Sequence, residues 1–84
     1  MYLHLGSNVS VPLDDIIGIF DLDITSQSHI TREFLRSSEK RGIVMNAAED
    51  IPKSFIVCGG KSKTVYLCQP AATTLLKRAE GNTL

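Results

Sequence analysis

The sequence predicts a small α+β domain that assembles with copies of itself: a mostly antiparallel sheet of about six short strands with two helices, in the order β-β-β-α-β-β-β-α. Three observations carry that expectation. The first is the segment Asp15-Ile16-Ile17-Gly18-Ile19-Phe20-Asp21-Leu22. As a strand it presents Ile16, Gly18, Phe20 and Leu22 on one face and Asp15, Ile17, Ile19 and Asp21 on the other, so both faces are apolar through the middle and both want cover. The second is length. A chain of 84 residues has little material for two covering layers, since a domain this small buries only ~60–65% of its unfolded surface. The missing layer is therefore expected to be another copy of the same protein. The third is a pair of apolar runs, 54–58 and 64–68, flanking Gly59-Gly60-Lys61-Ser62-Lys63, which reads as a hairpin with a short loop.

Along the chain, Tyr2-Leu3-His4-Leu5 reads as a strand ended by the turn signal Gly6-Ser7-Asn8. Val9-Ser10-Val11 follows and is closed by Pro12, which lacks a ladder donor. The two-faced strand 15–22 comes third. From about Ser26 to Arg41 the period becomes helical: Ile30 and Phe34 share a face, Leu35 lies beside them, and polar residues fill the rest. Thr25, Ser26 and Ser28 are all candidate N-caps, and Gly42 is a stop. Ile43-Val44-Met45 reads as a short strand and Asn46 to Pro52 as a loop. After the hairpin, Pro70 can open a final helix carrying Ala71, Leu75, Leu76 and Ala79 and ending near Gly81. The whole, 1–84, reads as one domain with a loose tail at 81–84 and no repeat or linker.

At 43% hydrophobic and 21% charged, the composition is that of an ordinary globular protein. No apolar run approaches the ~20 residues that span a bilayer, and the N-terminus lacks the basic region and long apolar core of a signal peptide. The expectation is a cytoplasmic protein with no membrane partner. Net charge is zero but unevenly spread: residues 1–31 hold Asp14, Asp15, Asp21 and Asp23 and no Lys or Arg, while the remainder carries +4. Such asymmetry can give a neutral protein a basic face.

Chemistry of the usual kinds is poorly supported. Cys58 and Cys68 match no zinc spacing, and a symmetric hairpin sets Cys58 opposite Thr64 and Cys68 opposite Ser54, too far apart to bridge. They read as structural thiols in a reducing compartment. His4 and His29 have no nucleophile arranged with them, and the aspartates lack the spacing of a calcium loop. Gly59-Gly60-Lys61-Ser62 resembles part of a phosphate loop, but position 55 is Phe where the earlier glycine belongs, and a strand follows instead of a helix. No catalytic residue, metal site or cofactor is expected.

The basic residues carry the strongest functional signal. Arg32, Arg36 and Lys40 recur every four residues and line one stripe of the helix, with Arg41 adjacent; Lys53, Lys61 and Lys63 add charge at the ends of the hairpin. Like charges at that spacing slightly destabilise an isolated helix, so an anionic partner is a reason to keep them. The alternative is a solvated face partly neutralised by Glu33 and Glu39. Repeated around an oligomer, the cations would form a belt, and phosphate contacts accumulate steeply with number.

Several segments together resemble the bacterial extracellular-matrix regulator family, RemA and RemB: Tyr2-Leu3-His4-Leu5-Gly6, Asp15-Ile16-Ile17-Gly18-Ile19-Phe20-Asp21, Thr64-Val65-Tyr66-Leu67, and Pro70 through Leu75-Leu76-Lys77-Arg78-Ala79. The likeness covers roughly 2–80 and is greatest to the RemB branch. It implies a small cytoplasmic protein forming closed rings; the RemA branch binds DNA and activates genes for biofilm matrix and osmoprotection. Where RemA-type members carry arginines associated with DNA binding, this chain reads Leu13-Asp14-Asp15 and Asp50-Ile51-Pro52-Lys53, and only Lys53 keeps the sign.

The expected function is a ring-forming transcriptional regulator that meets duplex DNA mainly through phosphates, using Arg32, Arg36, Lys40, Arg41, Lys53, Lys61 and Lys63. Two other readings stay open: an oligomeric assembly protein whose partner is a protein such as a paralogue, and a small-ligand sensor with a pocket between subunits. For the subunit contact the sequence points to Ile17, Ile19, Ile56 and Tyr66, with Phe55, Val57, Val65 and Leu67 turned inward against the helices.

Overall fold

The computed structural model describes residues 1–6, 8–22, 29–60 and 63–81. It contains β1 (Tyr2–Gly6), β2 (Val9–Pro12), a short 3-10 turn (Leu13–Asp15), β3 (Ile16–Asp21), helix α1 (His29–Lys40), β4 (Val44–Asn46), β5 (Ser54–Cys58), β6 (Thr64–Cys68) and helix α2 (Ala72–Gly81). The element order is the predicted one. The expected helix start at 26, with Thr25, Ser26 and Ser28 as caps, lies outside the described residues, as do Lys61 and most of the expected C-terminal tail.

The strands divide between two sheets where a single one was expected. β1 and β2 form an antiparallel hairpin of their own, while the others form a sheet in the order β3-β5-β6-β4. In the larger sheet β3-β5 and β5-β6 are antiparallel and β6-β4 is parallel. The hairpin alternates cleanly: Leu3, Leu5 and Val11 are buried, whereas Tyr2, His4 and Ser10 face solvent. Its turn needs left-handed backbone, supplied by Gly6 at φ 116° and Asn8 at φ 64°.

That hairpin lies against one face of the larger sheet and is a covering layer that the strand pattern alone does not reveal. Leu3, Leu5 and Val11 form one cluster with Ile56, Cys58 and Cys68 of the sheet and Leu75 of α2, and Ile16, Ile19 and Tyr66 pack against it. The guanidinium of Arg78 donates to the carbonyl of His4 at 3.2 Å, tying α2 to β1. Ser54 Oγ donates to the Pro70 carbonyl at 2.7 Å and fixes the approach to α2. The sequence pointed Ile56 and Tyr66 toward another subunit; instead Ile56 is fully buried in the chain's own core and Tyr66 is half-buried beside it. The alternation along β5 and β6 is the expected one, but the neighbour covering that face is the hairpin of the same chain.

The opposite face carries Phe20, Phe55 and Val57 and is covered only in part, by α1. Phe20 and Phe55 stack with ring centroids 5.0 Å apart. Gly18 makes room for this pair, since a Cβ there would come within 2.7 Å of the Phe20 ring. α1 stops as Gly42 predicts: Gly42 N–H donates to the Glu39 carbonyl and Ile43 N–H to the Ser38 carbonyl, the paired bonds of a Schellman cap, with Gly42 at φ 72°. Because Ile43 closes that cap, β4 begins one residue later than expected.

Cys58 pairs with Thr64 and Cys68 with Ser54, so the thiols sit at opposite ends of the β5-β6 hairpin, buried and unbridged. Burial pushes both thiols up, with Asp15 adding to the effect on Cys58; Cys68 is raised to about 11, its desolvation and the charge of Cys58 outweighing a hydrogen bond with Ser54 that lowers it.

Two outcomes follow from this packing. Replacing Ile56 with Asp should abolish the folded far-ultraviolet circular dichroism signal, whereas Ile17→Asp should leave it intact; Phe55→Ala should fold but lose ~3–5 kcal/mol in urea denaturation. Stability should also depend on pH through the thiols. A folded pKa above the unfolded one makes the native state the stronger proton binder between the two, so stability is fully present below pH ~9 and falls as pH rises toward ~11. Urea midpoints at pH 8 and 10 test this, and removing both thiols should flatten the decline.

Candidate nucleic-acid interface

Helix α1 separates two kinds of surface. Arg32, Arg36 and Lys40 lie at four-residue spacing on the side of the helix away from Ile30 and Phe34, all three open to solvent. Arg36 forms an exposed ion pair with Glu33 at 3.5 Å, one turn away. Such a pair contributes little to stability and is readily exchanged for another anion. Lys40 stands in the last turn, where the helix dipole favours a cation. The stripe is therefore an array of cations on a rigid rod, able to follow a line of phosphates.

The remaining basic residues are placed differently. Arg41, at the helix end, and Lys63, just before β6, line one recess of about 130 Å³ between α1 and the sheet, together with Ile17, Phe34 and Ile43. Both cations thus lie on the sheet side of α1, apart from the stripe. Lys53 precedes Ser54 at the other end of the hairpin, its N–H donating to the Cys68 carbonyl and its carbonyl accepting from Leu22. Lys61 is outside the described residues. The cations expected to act together therefore divide, among the described residues, into a helix stripe, a pair at a recess, and Lys53 at the far end of the sheet.

Of the four residues expected at a subunit contact, Ile17 is 69% exposed, Ile19 packs on the core, and Ile56 and Tyr66 belong to the interior described above. Sequence reasoning missed the surface that accompanies Ile17. Ile30 is 79% exposed, Phe34 40% and Phe20 39%. With Phe55 and Val57 they line an apolar trough of about 320 Å³. The trough is continuous with the recess holding Arg41 and Lys63, since Ile17, Phe34 and Val57 border both. The signal was present in the shared Ile30/Phe34 face; its width against the sheet was not.

Among the described residues no cluster of three His, Cys, Asp or Glu side chains is placed to hold a metal ion, and no helix is long and apolar enough to cross a membrane. Cys58 borders the recess as a protonated thiol and adds no charge to it.

No protein-family model matches the chain. Extracellular matrix regulatory protein B of Bacillus subtilis (strain 168) is 35% identical to it over 80 residues, an alignment covering 95% of this chain and 91% of that protein. The resemblance first seen in short segments thus extends along nearly the whole length of both proteins, and the chain belongs to the RemA/RemB family of bacterial extracellular-matrix regulators.

Proposed function

We propose that the protein is an oligomeric, ring-forming transcriptional regulator of extracellular-matrix and biofilm genes that binds duplex DNA through its phosphates. The observation that carries this reading is the division of α1. Its apolar side, with Ile30 and Phe34, borders a trough that a neighbouring subunit can fill, while Arg32, Arg36 and Lys40 occupy the opposite side. Assembly through one side leaves the cations of every copy facing outward. A single stripe is a weak anion site, but each added phosphate contact multiplies affinity, so a belt of such stripes binds duplex firmly with little base readout. The matrix role is supported by the name of the Bacillus subtilis relative.

A second reading has its own observation. Asp50 and Ile51 occupy exposed positions in the loop before β5, and an acidic, apolar loop suits protein contact better than phosphate contact. On that reading the chain is an assembly protein whose partner is itself or a paralogue, without DNA.

Gel shifts on promoter fragments at two or more salt concentrations decide between them. Under the DNA reading, changing Arg32, Arg36 and Lys40 to Ala weakens binding about equally for all sequences. The log-log salt slope falls in magnitude by ~0.9 for each phosphate that is no longer neutralised, and the oligomer keeps its mass. Absence of any wild-type shift at low salt, together with dissociation of the oligomer in the triple variant, would establish the assembly reading.

A further inference from the structure

The trough beside α1 has two properties that specify its occupant. It is apolar along most of its length, and about 320 Å³ is roughly twice the ~150 Å³ cavity that accommodates a benzene ring. At one end it runs into the recess where Arg41 and Lys63 converge. A fitting partner therefore offers an aliphatic side chain with carboxylates next to it.

The chain carries such an element. The loop between β4 and β5 contains Glu49-Asp50-Ile51, with Asp50 exposed and Ile51 77% exposed. The loop is held rather than slack. Ala48 N–H donates to Asn46 Oδ1 at 2.9 Å, Glu49 N–H to Gln69 Oε1 at 3.2 Å, and Lys53 N–H to the Cys68 carbonyl at 2.9 Å. Presenting a side chain from a loop already fixed lowers the ordering cost of docking.

The two features cannot meet within one molecule. β4 ends at Asn46 opposite Leu67, and β5 begins at Ser54 opposite Cys68, so the acidic loop lies at that end of the sheet. Arg41 and Lys63 lie at the other end, beside Ile43 and Thr64, with the length of β6 between them, roughly 15 Å. Complementary charges at opposite ends of one chain are satisfied between copies arranged head to tail.

We propose that Ile51 of one subunit enters the trough of the next, while Glu49 and Asp50 approach the Arg41/Lys63 end. The contact is heterologous: its two patches are different surfaces of the same chain, and successive copies are related by a rotation that closes into a ring. This rests on the ring-forming oligomer proposed above and adds which surfaces meet. It also removes Arg41 and Lys63 from the DNA-facing set, leaving the stripe to contact phosphate.

The test is light scattering with size-exclusion chromatography at micromolar concentration, circular dichroism confirming the fold of each variant. Wild type should run as an oligomer. Glu49→Lys with Asp50→Lys, and separately Arg41→Glu with Lys63→Glu, should each fall to monomer mass, and the chain carrying all four changes should recover the oligomer. That recovery excludes misfolding as the cause of dissociation. A mixture of Ile51→Asp and Ile17→Asp chains, each monomeric alone, should yield a dimer and grow no further, because only one good contact remains. A wild-type monomer overturns the proposed oligomer and this inference together. A wild-type oligomer unaffected by the loop changes leaves assembly standing and overturns the inference alone, as does a mixture that forms no dimer.

Discussion

The fold depends on a strand with no solvent face. β5 places Ser54, Ile56 and Cys58 on one side and Phe55 and Val57 on the other, and four of the five residues are buried. A strand apolar on both sides must be sandwiched, and sandwiching takes two layers. The chain supplies one complete layer, the β1-β2 hairpin with α2, and one incomplete layer, α1. The core is therefore asymmetric. One side is a closed cluster of aliphatic residues and thiols, and the other is a stacked Phe20/Phe55 pair with open flanks. The incomplete layer concentrates large apolar side chains at the surface in one place.

Much of this was legible in the residues. Strand and helix identities followed from period, the β5-β6 register from the symmetric placement of Cys58 and Cys68, and the end of α1 from Gly42. What could not be read was which element covers which face. Tyr2-Leu3-His4-Leu5 announces a strand with Leu3 and Leu5 on one side, but nothing local says that it pairs only with β2 and folds over the sheet instead of extending it. One continuous sheet would turn Ile56 outward, and the actual layering turns it in. Periodicity reports the spacing of apolar residues along one element and carries no information about its partner.

The candidate site shows the same limit. The alignment of Arg32, Arg36 and Lys40 follows from helical geometry. Arg41 is next in sequence to Lys40, yet it turns to the sheet side because a helix advances about 100° per residue. Sequence neighbours therefore divided between two surfaces, while Lys63, distant along the chain, joined Arg41 through the return of β6. The trough arose from parts that each looked ordinary: Ile17 on a strand, and Ile30 and Phe34 on an amphipathic helix.

The joining of β1 to α2 has a consequence for how the chain reaches its native state. Leu3 and Leu5 enter the same cluster as Leu75, and Arg78 bonds to the carbonyl of His4, so the first strand is secured by the last helix. Contacts this distant in sequence carry a large loop-closure cost and slow folding. The β1-β2 hairpin finds its partners in β5, β6 and α2, all of them later in the chain, so its apolar side is covered only once they join it.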